Sequence, residues 1–86
     1  FNKEVMKKNI EQEVIDIIEE VLEVSSGTIS FDTVAESIEE WDSLGHLGIL
    51  TALNDLFEGR VADISEVAEA TSVPKILDIL KKYSLM

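Results

Sequence analysis

The sequence predicts a small all-α protein: a four-helix bundle of three main helices and a short third helix, with one long ordered loop between helices 1 and 2. Three observations carry this. Apolar residues recur at helical spacing in three separate segments. Capping residues and glycines punctuate those segments. No segment alternates convincingly with the period of a strand. The 86 residues suit a single domain with a thin core.

The first helical segment runs from about Lys3 to Val24. Val5, Met6, Ile10, Val14, Ile17, Ile18, Val21 and Leu22 form its apolar stripe. Glu11, Glu13, Asp16, Glu19, Glu20 and Glu23 fall largely elsewhere on the wheel. Ser25-Ser26-Gly27 ends the segment, with Gly27 suited to a left-handed C-cap. The stretch from Thr28 to Asp42 comes next, without a sustained period. Connections this long inside small domains are uncommon and often functional. Its apolar residues, Ile29, Phe31, Val34, Ile38 and Trp41, are expected to pin it across the helices, with a short helical turn near Thr33 to Ile38.

The second helix is predicted to start at Asp42 or Ser43, both good N-cap types. At 100° per residue Leu47, Leu50, Leu53 and Phe57 share a face, flanked by Leu44 and Ile49. This helix should reach about Glu58, where Gly59 stops it. Ile64, Val67 and Ala68 predict a short helix within Asp63 to Glu69. The last helix has Thr71 or Ser72 as its cap and Pro74 in its first turn, where a missing N–H costs little. Its stripe is Val73, Ile76, Leu77 and Leu80, and Lys81 and Lys82 complement the dipole at its end.

Composition narrows the function. The net charge is -11, from 18 acidic and 7 basic residues. Such a surface repels nucleic acid and anionic lipid and favours partners with basic patches. It also keeps a domain soluble. No apolar run approaches the roughly 18 residues of a membrane span. The first residues lack a signal-peptide pattern, being interrupted by Lys3, Glu4, Lys7 and Lys8. There is no cysteine, which excludes disulfides, thiolate zinc sites and a cysteine nucleophile. The cytoplasm is the default compartment, and a monomer is expected. The chain begins at Phe1; Met6 is a candidate native start with residues 1–5 as added sequence, and a trimmed domain would begin the same way.

Catalysis finds little footing. His46 comes three residues after Ser43, but the pair lacks an oxyanion hole, a pocket and the G-x-S-x-G spacing. His46 therefore reads as a solvated helix residue or one that touches a partner. For metals, one histidine and no cysteine leave only carboxylates. Glu36, Glu39, Glu40 and Asp42 read as a solvated acidic stretch. What remains is Asp42-Ser43-Leu44 at a helix start, delivered there by the long loop. A phosphate ester on Ser43 would sit beside free N–H groups and the positive end of the helix dipole.

Glu40-Trp41-Asp42-Ser43-Leu44-Gly45-His46-Leu47 resembles the attachment motif of acyl carrier proteins, whose centre is Asp-Ser-Leu. The resemblance extends over nearly the whole chain, through Ala52-Leu53-Asn54-Asp55-Leu56-Phe57, Val61 and Ala70-Thr71-Ser72-Val73. It implies that a phosphopantetheinyl transferase moves a 4′-phosphopantetheine arm from coenzyme A onto Ser43. The arm's thiol then carries an acyl group as a thioester, which the protein presents to acyl-loading and acyl-using enzymes without being an enzyme itself. It further implies that Asp42 helps the transferase recognise the site, that Leu44 and Leu47 lie on or near the docking surface, and that Leu47 can also serve the core.

The outward face of the second helix departs from the strongly acidic pattern of bacterial fatty-acid carriers. Gly45, His46 and Gly48 come after the motif's serine, and Asp55 and Glu58 are the acids that remain. Two glycines cost roughly 1 kcal/mol each relative to alanine. On the wheel Gly45, Gly48 and Ala52 lie together, away from the leucine face. They read either as a locally poor helix or as a low-relief, weakly charged docking strip beside Ser43; the second reading favours a dedicated carrier of a specialised pathway over the housekeeping fatty-acid carrier, within a fatty-acid, polyketide or specialised acyl pathway. Two other readings stay open: an aminoacyl (peptidyl or D-alanyl) carrier, although the Gly-Gly-His-Ser context of peptidyl carriers is missing, and a cofactor-free acidic helical adaptor.

Overall fold

A computed structural model describes residues 10–85. Among these residues four α-helices run in chain order: α1 Ile10–Leu22, α2 Ser43–Leu56, α3 Ser65–Ala68 and α4 Val73–Lys82. Among the described residues no strand forms; an isolated antiparallel bridge joins Val34 to Ser72. The predicted helical residues before Ile10, with Val5 and Met6, lie outside the described residues, as do residues 1–5. No helix among the described residues is long and apolar enough to cross a membrane.

The core draws on every helix. Val14, Ile15, Ile18 and Leu22 come from α1, and Ile49, Leu53 and Phe57 from α2 and its end. Val61, Ile64, Val67 and Ala70 surround α3, and Val73, Ile76, Leu77, Ile79 and Leu80 line α4. Burying each of the larger side chains contributes about 1.5–3 kcal/mol.

The expected face of α2 needs correction. Leu44 and Leu47 are 78% and 58% exposed, while Ile49 and Leu53 are fully buried. Gly45 and Gly48 turn toward α1: a Cβ on Gly48 would lie 2.8 Å from Val21 Cγ1. The supposed low-relief strip is thus the seam along which α2 packs on α1. The reason is that α2 is apolar nearly all round, so its periodicity left the core side open. The glycines decide it, because they let the two helices approach closely.

The helix ends also differ from expectation. Glu23, rather than Gly27, is the left-handed residue that caps α1, at φ 59°, although Gly27 also has a positive φ of 93°. Val24 N–H then donates to Glu19 O at 3.1 Å and Glu23 N–H to Glu20 O at 3.2 Å, a Schellman motif. The same pattern closes α2 through Glu58 and α4 through Ser84, both at positive φ. Accordingly α2 ends at Leu56, two residues before the expected Glu58. Gly27 sits further on, in a separate turn.

The long connection is ordered as expected, with a 3-10 turn at Ala35–Ser37. Ile29 and Trp41 are buried, whereas Phe31 and Val34 stay exposed. Backbone bonds tie it to the start of α4: Ala35 N–H donates to Thr71 O at 2.8 Å, and Val73 N–H to Thr33 O at 2.9 Å. Its first residues are held by Glu19, which is buried rather than solvated. One carboxylate oxygen of Glu19 accepts from Gly27 N–H at 2.8 Å and Ile29 N–H at 3.0 Å.

The short α3 is fastened from outside. Asn54 Oδ1 accepts from Ala62 N–H at 2.8 Å, bracing the connection that leads into it. On the far side, Glu66 accepts from the Tyr83 hydroxyl and from Lys82 Nζ, the latter at 2.9 Å. The bonds from Tyr83 and then Lys82 hold the Glu66 carboxyl below its usual range. A depressed carboxyl stabilises the fold above the unfolded value, and that contribution fades as pH falls through the folded one. Below about pH 4.5 the wild-type protein should therefore lose thermal stability faster than Glu66→Gln. Parallel melting curves for the two proteins across the acid range would refute the assignment.

Candidate functional site

Ser43 is the first residue of α2 and is exposed. Asp42 caps the helix: its Oδ1 accepts from Gly45 N–H at 2.8 Å, and its carbonyl accepts from His46 N–H at 2.8 Å. The cap satisfies one of the donors at the helix start. The N–H groups of Ser43 and Leu44, which helix geometry leaves without intrahelical partners, remain for a ligand. The Ser43 hydroxyl thus stands on a rigid helix end, beside backbone donors and the positive end of the dipole.

An open groove of 580 Å³ begins at Ser43. Trp41, Asp42, Ser43 and Ala35 form its near end; His46, Leu47, Leu50, Ala68 and Thr71 carry it between α2, α3 and the start of α4. A second, separate hollow shares Leu50 and Ala68 in its lining and is bounded also by Asn54 and Val61. Both hollows have mostly apolar walls.

The residues expected to recognise partners divide into two groups. Leu44, Leu47 and Asp55 are exposed, as is Asp42, and the helical angle places Leu44, Leu47, Thr51 and Asp55 on one outward face of α2. Gly45 and Gly48 do not join them. A Cβ on Gly45 would meet the Glu40 carbonyl oxygen at 2.5 Å and Leu22 Cδ2 at 2.8 Å, so this glycine faces the loop and α1. Glu36, Glu39 and Glu40 are exposed, and no group of three metal-ligating side chains is arranged to hold an ion among the described residues.

His46 has a different place from the one expected. It is neither solvated nor simply outward. Trp41 Nε1–H donates to its Nδ1 at 2.9 Å, and its Nε2 lies 3.0 Å from the Val67 carbonyl oxygen. The Trp41 and His46 rings stack with centroids 6.1 Å apart. With both ring nitrogens engaged in holding structure, His46 is a poor general base for Ser43. The i, i+5 spacing of Trp41 and His46 was the available signal, but it points to a bond only once the loop's path is known.

No protein-family model, curated protein or solved structure matches the chain.

Proposed function

We propose that the chain is a carrier protein whose cargo hangs as a thioester from a 4′-phosphopantetheine arm on Ser43. The observation that carries the reading is an exposed serine hydroxyl at the first position of α2, at the mouth of an open groove, within Asp42-Ser43-Leu44. The residues suit such an arm. A phosphodiester on Ser43 would lie against the free N–H groups of the helix start. The groove offers a partly apolar bed for the pantetheine portion of the arm. The arm supplies a thiol, which this cysteine-free chain lacks.

The chain's own residues then hold and present. Asp42 fixes the helix start and thereby the direction of Ser43. Leu44 and Leu47 offer apolar anchors to a partner, beside acidic Asp55 and Glu58 that favour basic groups at the rim of the contact. The partners on this reading are a phosphopantetheinyl transferase and the enzymes that load and use the acyl group.

The test is intact mass after incubation with coenzyme A and a broad-specificity transferase. Wild type should gain one phosphopantetheine, and Ser43→Ala none while keeping its helical circular dichroism. An unmodified wild-type protein would overturn the carrier reading; a modified Ser43→Ala would overturn the site.

A further inference from the structure

We propose that Leu50 limits the length of apolar chain that can lie along the seam between α2 and α3, so that the cargo sheltered beside Ser43 is a short acyl group. The nature of the cargo rests on the carrier reading; the limit at Leu50 does not. The groove that opens at Ser43 and the hollow bounded by Asn54 and Val61 have two lining residues in common, Leu50 and Ala68. Leu50 comes from α2 and Ala68 from the end of α3, so the pair stands between the two spaces. Leu50 is the bulkier of the two and is half-buried. Its side chain is therefore the partition.

The partition is braced on both sides. His46, Leu50 and Asn54 recur at every fourth position and form one row along α2. The two outer residues are polar, and each bonds to backbone across the seam. Trp41 Nε1–H donates to His46 Nδ1 at 2.9 Å, so Nε2 carries the ring proton and donates to the Val67 carbonyl at 3.0 Å. Asn54 Oδ1 accepts from Ala62 N–H, in the connection that enters α3, at 2.8 Å. One bond lies on the Ser43 side of Leu50 and the other on the far side. Swinging α3 away at Leu50 would strain or break one of them. Glu66, bound to Tyr83 and Lys82, ties the same short helix to the end of α4.

Helix geometry turns the partition into a length limit. At about 1.5 Å per residue, Leu50 lies about 10 Å along α2 from Ser43, and Asn54 about 16 Å. An extended alkyl chain advances roughly 1.3 Å per carbon. A butyl chain tethered at Ser43 therefore ends by Leu50, whereas a dodecyl chain runs past it. With Leu50 in place the longer chain must turn out into water and forgo burial of its far end. Beyond the partition the hollow is lined by Val61 and Ile64, both buried members of the core. Leu50→Ala would join the two spaces and leave both braces intact. The apolar tail would then have a continuous bed from Ser43 to Val61.

Tethered alkyl chains on the full chain test this. The protein has no cysteine, so Ser43→Cys supplies its one thiol, to which alkyl methanethiosulfonates attach a butyl or a dodecyl chain. With Leu50 present, the dodecyl adduct should melt no higher than the butyl adduct, and the Val61 and Ile64 methyl resonances should coincide in the two. With Leu50→Ala added, the dodecyl adduct should melt at least about 4 °C above the butyl adduct, and those methyls should shift. Movement of the Val61 or Ile64 methyls by a dodecyl chain while Leu50 is present would overturn the proposal, and this comparison does not depend on the folding of Leu50→Ala. Equal melting of the two Leu50→Ala adducts would overturn it as well. No transferase takes part, so these outcomes stand apart from those of the coenzyme A test.

Discussion

Gly45→Ala is expected to destabilise the protein by about 1–2 kcal/mol, although alanine is the better helix former. The propensity gain is about 1 kcal/mol. Against it stands a Cβ placed 2.5 Å from the Glu40 carbonyl oxygen and 2.8 Å from Leu22 Cδ2. The first neighbour is backbone and cannot rotate away. Forced overpacking of this kind typically costs about 1–3 kcal/mol and occasionally more. Gly48→Ala provides the contrast, because its new Cβ would meet one side-chain atom, Val21 Cγ1 at 2.8 Å, and no backbone. Its net effect should lie within about 1 kcal/mol of zero, the propensity gain offsetting the strain. Urea unfolding of the two variants measures the difference. Were Gly45→Ala as stable as wild type, the packing of α2 on α1 would be wrong, and the docking-strip reading of these glycines would regain its standing.

Glu19→Ala should cost about 3 kcal/mol. The carboxylate gathers the N–H groups of Gly27 and Ile29 on one oxygen, and Ile29 is itself buried. A hydrogen bond to a charged group is worth about 1.5–3 kcal/mol, and a buried donor left unpaired costs about 1–3 kcal/mol. The two are not fully additive, since water can reach Gly27, which is exposed. Glu19→Gln keeps an acceptor oxygen in place and should cost about 1 kcal/mol. The loss in Glu19→Ala should appear first as faster amide exchange at Gly27 and Ile29, with α4 little changed. A uniform loss of protection across α4 would show instead that Glu19 supports the whole bundle.

The all-α fold and the order of helices and loop were legible in the sequence because they rest on local signals. Ser72 and Pro74 mark the start of α4, and its stripe Val73, Ile76, Leu77 and Leu80 is buried as expected. The exposed position of Ser43 was legible too, from the capping pattern around Asp42. The orientation of α2 was not, since Leu44 and Leu47 are as apolar as Ile49 and Leu53, and only the glycine seam with α1 separates the two sides. Glu19 looked like one acid among several on α1. Its burial comes from the turn at residues 25–28, which brings backbone N–H groups eight and ten residues away onto its carboxylate. His46 was misplaced for a similar reason. Its partner Val67 lies 21 residues downstream, beyond the reach of any helical wheel. The ends of α1 and α2 were misread because Glu23 and Glu58 adopt a conformation that glycine takes more readily.

The close approach of Gly45 to the Glu40 carbonyl, with the Asp42 carboxylate locked on Gly45 N–H, leaves the start of α2 no slack. A group tethered to Ser43 would swing from a fixed pivot. The volume it sweeps would then be set by the tether's own length and stiffness, and so would its effective concentration at any second site. Each partner would find the tethered end in the same sphere of space, whatever cargo it holds. Selection among partners would fall to the grip on the outward face of α2, which sets where that sphere is carried.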